Sequence, residues 1–154
     1  MQRTTFMSLI LLLLGLTGCN TFAVKTPENF VSLERVRTRT YYKAVSPDNA
    51  VITVTAFEHR DRGSLAFWSA ILEREMTLQR GYKLTAAEPV KNDLGLQGRQ
   101  LAFTARSGTT PYTYVATLFV TRSYLYVVES AAKSKRYPSH RRAVDELVSS
   151  FRPR

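Results

Sequence analysis

An uncharged apolar run, Phe6 to Leu14, stands near the start of the chain and decides how much of it belongs to the folded protein. The run follows a single basic residue, Arg3, and is shorter than the about 20 apolar residues that a membrane-spanning helix needs. Its length and its flanks are typical of the hydrophobic segment of a signal peptide. We therefore predict that residues 1–18 are a leader removed on export.

Leu16, Thr17, Gly18 and Cys19 follow this run directly. Their order resembles the lipobox of bacterial lipoproteins. The resemblance implies that a diacylglycerol is attached to the thiol of Cys19, that the chain is cut before Cys19, and that the new amino terminus receives a fatty acid such as palmitate. It also implies a cell-envelope protein anchored to a membrane by lipid. The alternative is a buried hydrophobic N-terminal helix in which the cysteine is incidental.

Residues 19–34 contain Asn20, Thr21, Pro27, Glu28 and Asn29, which leave few apolar positions. We expect a lipidated N-terminus and a flexible tether here, with a single folded domain over residues 35–154. An Asp directly after the modified cysteine is a common signal for retention at the inner membrane of Gram-negative bacteria. Because Asn20 occupies that position, the resemblance favours the outer membrane, with the domain facing the periplasm.

The chain is strongly basic, with 22 Lys and Arg residues against 12 Asp and Glu residues and a formal net charge of +10. Such a balance favours polyanionic partners, among them anionic lipid headgroups, lipopolysaccharide and acidic protein surfaces, while nucleic acid is the partner that we expect least. Cys19 is the sole cysteine, which excludes an internal disulfide and a metal site built on cysteines. The fold must therefore be held by packing.

Alternation of side chains with a period of two begins at residue 35 and predicts a strand as far as residue 43. Residues 46–49, Ser-Pro-Asp-Asn, have the composition of a turn. A β-branched run over residues 51–57 places Ile52, Val54 and Ala56 on one face. We expect these two runs to pair as a hairpin.

The period then becomes helical between Ser64, or Asp61, as a capping residue and Gly81 as a C-terminal stop. The apolar residues fill one half of the helical wheel, so this long helix is expected to pack on a sheet. They are Leu65, Phe67, Trp68, Ile71, Leu72, Met76 and Leu78. Glu75 projects into the same arc, where it is either a functional acid or a residue at an open end of the helix.

Four further runs predict strands over residues 82–87, 100–106, 112–120 and 124–131, and residues 100–106 alternate between a buried and a wetter face. The last two are rich in aromatic and β-branched residues and should be central strands. Pro138 or Ser139 then opens a helix that buries Val144, Leu147 and Phe151 on one face. This order predicts an α+β fold, an antiparallel sheet of about six strands packed with a long central helix and a C-terminal helix.

The element order, the aromatic hairpin over residues 112–131 and the final Ser149-Ser150-Phe151-Arg152 together resemble the PsbP-like fold. That group includes the extrinsic photosystem II protein, a Ran-binding nuclear import factor and bacterial envelope lipoproteins. The resemblance implies a domain that binds protein partners, because the group has no common catalytic residues to carry over onto this chain.

Catalytic and metal motifs give little support for an enzyme. The chain has no Gly-x-Ser-x-Gly elbow, no phosphate-binding Gly-rich loop with Lys, and no His-Glu-x-x-His sequence. His59 and His140 are the only histidines, and both lie in polar segments where solvation is commoner than metal binding. We predict no cofactor and no metal, and a serine triad built on His140 and Asp145 has nothing to recommend it.

A basic segment before and within the last helix is the strongest candidate site: Lys133, Lys135, Arg136, Tyr137, His140, Arg141 and Arg142. Cations are unfavourable in the first turn of a helix, and an anion held by backbone amides and guanidinium groups would offset that cost. The segment is therefore either an exposed basic face that binds nothing or, as a hypothesis, an anion site.

A second basic row, Arg35, Arg37, Arg39 and Lys43, is predicted on the first strand, near the lipidated end. It would either hold the domain on an anionic membrane surface or protect an edge strand from pairing with other chains.

Together these observations predict a lipid-anchored envelope protein that acts as a binding or assembly module for another envelope component and has no catalytic activity. The alternative is a binder of anionic lipid, lipopolysaccharide or polymer, and an envelope hydrolase is expected less.

Overall fold

The computed structural model describes residues 20–60 and 63–154, and in them a seven-stranded antiparallel sheet carries one helix on each face. The predicted α+β fold with a mid-chain helix and a C-terminal helix is confirmed. The predicted leader and Cys19 lie outside the described residues.

The strand order of the sheet is β2-β3-β4-β8-β7-β6-β5, so the aromatic hairpin predicted to be central is β7 and β8 in the middle of the sheet. Strands β1 and β9 form a second, two-stranded sheet. The strands are β1 Phe22–Ala23, β2 Val31–Ser32, β3 Tyr41–Val45, β4 Val51–Glu58, β5 Lys83–Lys91, β6 Gln97–Ser107, β7 Thr110–Val120, β8 Tyr124–Lys133 and β9 Arg152–Pro153. The helices are α1 Leu65–Arg74 and α2 Tyr137–Ser150.

The predicted turn at residues 46–49 joins β3 to β4. The amide of Ser46 donates to the carbonyl of Ala50 at 2.9 Å, and Asn49 adopts a left-handed φ of 66°, a conformation that asparagine tolerates. The face of β4 formed by Ile52, Val54 and Ala56 is buried as expected.

Helix α1 begins where its capping residue predicts, because the hydroxyl of Ser64 accepts a hydrogen bond from the amide of Phe67 at 3.1 Å. The last turn, Glu75–Gln79, widens to a π-helix, and Gly81 follows with a φ of +68°. This left-handed residue ends the helix, as predicted.

The two faces of the sheet form two separate cores. Residues alternate along β7, so that Phe119 belongs to the core under α2 and Leu118 to the core under α1. The face of α2 that the sequence predicts, with Val144 and Leu147, is buried in the first of these cores.

The expected flexible tether needs correction, because the chain from Thr21 onward is part of the folded domain. Strand β1 pairs with β9, and β2 pairs with the end of β3. Phe22 and Phe30, the two aromatic residues of this segment, are 5% and 8% exposed in the core under α2. Strands β1 and β2 have only two residues each, too few to show a strand period, and the partner of β1 lies at the far end of the sequence.

Two predicted strand boundaries also need correction. The strand predicted to begin at residue 35 is β3, which starts at Tyr41. The earlier residues form a 3-10 turn, Glu34–Val36, and a hydrogen bond from the amide of Thr38 to the carbonyl of Tyr41. Strand β5 continues through Pro89 to Lys91. It lies at the edge of the sheet, where a proline that cannot donate a hydrogen bond is tolerated.

Candidate functional site

An apolar groove runs between α1 and the sheet, and it is the site that the structure adds to the sequence analysis. Its volume is about 340 Å³. Strand register places Phe57 of β4 opposite Leu125 of β8, and Leu118 of β7 opposite Val127 of β8. The groove is lined by these four residues together with Glu58, His59, Trp68, Ile71, Leu72 and Glu75.

The floor of the groove is buried and its walls are exposed. Leu118, Leu125 and Val127 are between 1% and 8% exposed, whereas Phe57 is 51% and Ile71 is 45% exposed. Large apolar side chains that remain half exposed around a buried apolar floor mark an interaction site more often than a simple surface. The groove can therefore take up apolar groups and offers little polar chemistry.

The predicted apolar arc of the central helix explains how the groove forms. The arc is wider than the surface that the sheet offers. Met76, on one side of the arc, is 3% exposed, whereas Phe67 and Leu78, on the other side, are 51% and 68% exposed. Only the side of the arc that contains Met76 packs as predicted. The position of Phe57 in the sequence also indicates the groove. Phe57 is out of phase with Ile52, Val54 and Ala56 on the buried face of β4, so it lies on the α1 side of the sheet.

Two ring nitrogens at the end of the groove lack hydrogen-bond partners among the described residues, Nδ1 of His59 and Nε1 of Trp68. Their rings make an edge contact with centroids 5.9 Å apart. Nε2 of His59 lies 3.0 Å from the carbonyl oxygen of Thr121, which can only accept, so Nε2 donates this hydrogen bond. His59 thus joins the β7–β8 turn to the end of β4.

The rim of the groove carries two carboxylates in a chain that is otherwise strongly basic. Glu58 is exposed, and the side chain of Glu75 is 51% exposed with Oε1 4.0 Å from Nε of Arg80. This contact and exposure fit the reading of Glu75 as a residue at the open end of the helix. No group of three or more His, Cys, Asp or Glu residues that could hold a metal occurs in residues 20–60 and 63–154.

The predicted anion site does not assemble as a single site. Arg136 and His140 instead approach Asp48 in the β3–β4 turn, with nitrogen to oxygen distances of 3.4 Å and 2.9 Å. The hydroxyl of Ser46 first, and then the His140 ring and Arg136, lower the pKa of Asp48 to about 2. These residues fasten the start of α2 to the β3–β4 turn.

Arg141 and Arg142 lie in the second turn of α2, whereas the sequence predicted the first. Each lies near a carboxylate four residues later, Arg141 with Asp145 at 3.9 Å and Arg142 with Glu146 at 2.8 Å. Both arginines are largely exposed. The helix thus neutralises them along its own surface.

Lys133 and Lys135 are exposed at the end of β8 and in the turn that precedes α2. The structure therefore separates the basic segment into exposed lysines, an Asp48 contact and two pairs along the helix.

The predicted basic row is also not a row on a strand. Arg35, Arg37 and Arg39 are exposed in the segment before β3, and only Lys43 lies on that strand, half-buried. Arg37 pairs with Glu34 at 3.4 Å, and its guanidinium carbon lies 6.0 Å from the centroid of the Tyr42 ring. Arg35, Arg37 and Arg39 thus precede β3 in the chain and do not lie on a strand whose edge they could protect.

No helix among the described residues is long and apolar enough to cross a membrane. No protein-family model and no curated protein sequence matches the chain.

Solved structures do match it. LpqN, a Mycobacterium tuberculosis protein involved in cell envelope biogenesis, has a TM-score of 0.67 at 12% identity over 85% of this chain and 82% of its own. Cyanobacterial PsbP from Synechocystis sp. PCC 6803 has a TM-score of 0.65 at 14% identity over 88% of each chain. The Ran-binding protein Mog1p of Saccharomyces cerevisiae has a TM-score of 0.59 at 13% identity over 86% of this chain and 90% of its own. The chain has the PsbP-like fold, as its sequence predicts.

Proposed function

We propose that this chain is a lipid-anchored cell-envelope module that binds another envelope protein through the apolar groove beside α1 and catalyses no reaction. The observation that carries the proposal is the groove itself, in which Phe57 and Ile71 stand half exposed above a buried apolar floor. The lipobox-like sequence at residues 16–19 supports the anchor. The fold shared with an envelope biogenesis protein and with a Ran-binding protein supports a binding role.

The rim favours a protein segment over a lipid as the occupant. The exposed carboxylates of Glu58 and Glu75 flank the groove, and they would repel the headgroup of an anionic lipid whose acyl chain lay inside. An apolar segment of a partner that also carries a Lys or Arg would meet both features. A volume of about 340 Å³ suits a few apolar side chains of such a segment.

The anchor is tested by Cys19→Ser. We expect this variant to leave the membrane fraction at high salt, because the lipid would have no other thiol to join. The domain should stay folded, since Cys19 precedes the first residue packed in the core. Retention of the variant in membranes at high salt would contradict the lipid anchor.

The groove is tested by placing a photoreactive residue at position 71 of the lipidated protein in its native envelope. We expect one discrete protein adduct. Phe57→Ser should reduce its yield about tenfold or more, because losing a contact residue that contributes about 1.4 kcal/mol weakens binding by a factor of ten. The matched control is Leu94→Ser, since Leu94 is 58% exposed but lies outside the groove. Equal adduct yields in Phe57→Ser and Leu94→Ser, or adducts with lipid alone, would overturn the protein-binding groove.

A further inference from the structure

The chain enters the folded domain at a fixed point. The amide and the hydroxyl of Thr21 donate to the carbonyl of Arg39 at 3.0 Å and 2.7 Å, and the amide of Arg154 donates to the carbonyl of Thr21 at 2.9 Å. The hydroxyl of Tyr126 donates to the same carbonyl of Thr21 at 3.0 Å. These bonds tie the first residues of the domain to its body, so no free tether follows Thr21.

This fixed point sets how far the domain can stand from a membrane. Cys19 precedes Thr21 by two residues, which span at most about 7 Å when fully extended. That distance is comparable to the screening length of about 8 Å at physiological ionic strength. A lipid on Cys19, which this step takes from the proposed function, therefore holds this end of the domain within electrostatic reach of the headgroups.

Arginines from four separate segments meet at this entry end of the domain. The carbonyl of Thr40, next to Arg39, accepts from the amide of Ala56 at 2.8 Å, so this segment adjoins the end of β4. The amide of His59 donates to the carbonyl of Ser123 at 3.1 Å, which brings the end of β4 to the β7–β8 turn. With Arg154 bound to Thr21, the entry end contains Arg39, Arg60, Arg122 and Arg154, together with the exposed carboxylate of Glu58 at the end of β4.

Three of these arginines differ from those of the predicted anion site in their electrostatic surroundings. Arg60, Arg122 and Arg154 are exposed, and within the described part of the chain none of them forms an ion pair. Arg136, Arg141 and Arg142, in contrast, each lie within 4.0 Å of a carboxylate oxygen of their own chain. The entry end therefore carries guanidinium groups that form no ion pair with a carboxylate of the described residues.

We propose that the entry end is a docking surface for an anionic phospholipid bilayer, which the anchored domain contacts through Arg39, Arg60, Arg122 and Arg154. Guanidinium groups bind phosphate oxygens through charge-assisted hydrogen bonds, and each basic residue near an anionic surface adds to the attraction. The short link to Cys19 keeps these groups at headgroup level. The domain then stands on the membrane in one orientation, and the apolar groove has a fixed direction relative to the bilayer.

The test measures energy transfer from Trp68 to a dansyl-labelled lipid headgroup, with the full lipidated protein reconstituted into vesicles. Trp68 is the sole tryptophan, and it lies against His59 near the entry end. Vesicles of phosphatidylcholine with and without phosphatidylglycerol are compared at low and high salt. The test variant is Arg122→Gln/Arg154→Gln, and the charge-matched control is Lys83→Gln/Arg106→Gln.

The control pair is exposed at the opposite end of the sheet. Strand β7 joins the two ends and has 11 residues. They are thus separated by roughly 35 Å, far beyond the screening length.

We expect phosphatidylglycerol to raise the transfer, and salt or Arg122→Gln/Arg154→Gln to return it to the phosphatidylcholine value. The ratio of docked to undocked protein should fall about 30-fold for the two lost charges at low salt, while the control pair changes it little. Equal losses in the two double variants, or transfer that ignores phosphatidylglycerol, would overturn the docking surface.

Flotation at high salt separates this proposal from the anchor, because the arginine variants should float with the vesicles as the unaltered protein does. If the unaltered protein fails to float at high salt, the anchor is wrong. The same pair of variants, compared by flotation at low salt, then decides whether the entry end binds anionic lipid by itself.

Discussion

At the scale of single residues, Asp48 shows how a basic segment that resembled a ligand site became part of the fold. Its carboxylate accepts from the Ser46 hydroxyl at 2.5 Å and lies 2.9 Å from Nε2 of His140. The His140 ring in turn makes an edge contact with Phe30, with centroids 5.8 Å apart. One carboxylate thus connects the β3–β4 turn, α2 and the N-terminal segment.

Asp48 should make stability depend on pH in the acid range. Its pKa falls from 3.8 to about 2 on folding, so the ionised carboxylate stabilises the fold above pH 3.8 and this contribution disappears as pH falls toward 2. We expect Asp48→Asn to lower the urea midpoint near neutral pH and to differ less from the unaltered protein near pH 2. Equal losses at the two pH values would show that the charge of Asp48 does not matter.

At the scale of elements, the central helix divides its apolar arc between core and surface within one π-helical turn. Met76 is 3% exposed in the core under α1, whereas Leu78, two residues later, is 68% exposed. We expect Met76→Ala to cost roughly 2–5 kcal/mol of unfolding free energy and Leu78→Ala less than about 1 kcal/mol. Urea denaturation of both variants measures the difference, and similar losses would contradict the division.

At the scale of the whole molecule, the N-terminal segment closes the domain against its C-terminus. Phe22 of β1 packs against Tyr126 and Phe151, with ring centroids 6.3 Å and 6.2 Å away. We expect Phe22→Ala to cost about 3–5 kcal/mol, because a buried aromatic side chain is lost from the core. Val31→Ala is the control, since Val31 lies in the same segment and is 64% exposed. A flexible tether would tolerate both changes equally.

The sequence by itself determined the features that depend on neighbours along the chain. The Ser64 cap, the left-handed Gly81, the turn at residues 46–49 and the alternation within β4 and β6 all follow from local conformational preference and from the period of apolar residues. Those elements and their order were sufficient to predict the α+β fold and its resemblance to the PsbP-like group.

Only the tertiary structure decided which surfaces these elements leave open and which charges meet. Phe22 finds its β9 partner more than a hundred residues away, and Asp48 contacts Arg136 and His140, which the sequence left unpaired. The groove exists because the apolar face of α1 is wider than the part of the sheet that α1 covers. Contacts between distant residues depend on the packing of whole elements, so neither the spacing nor the composition of one segment specifies them.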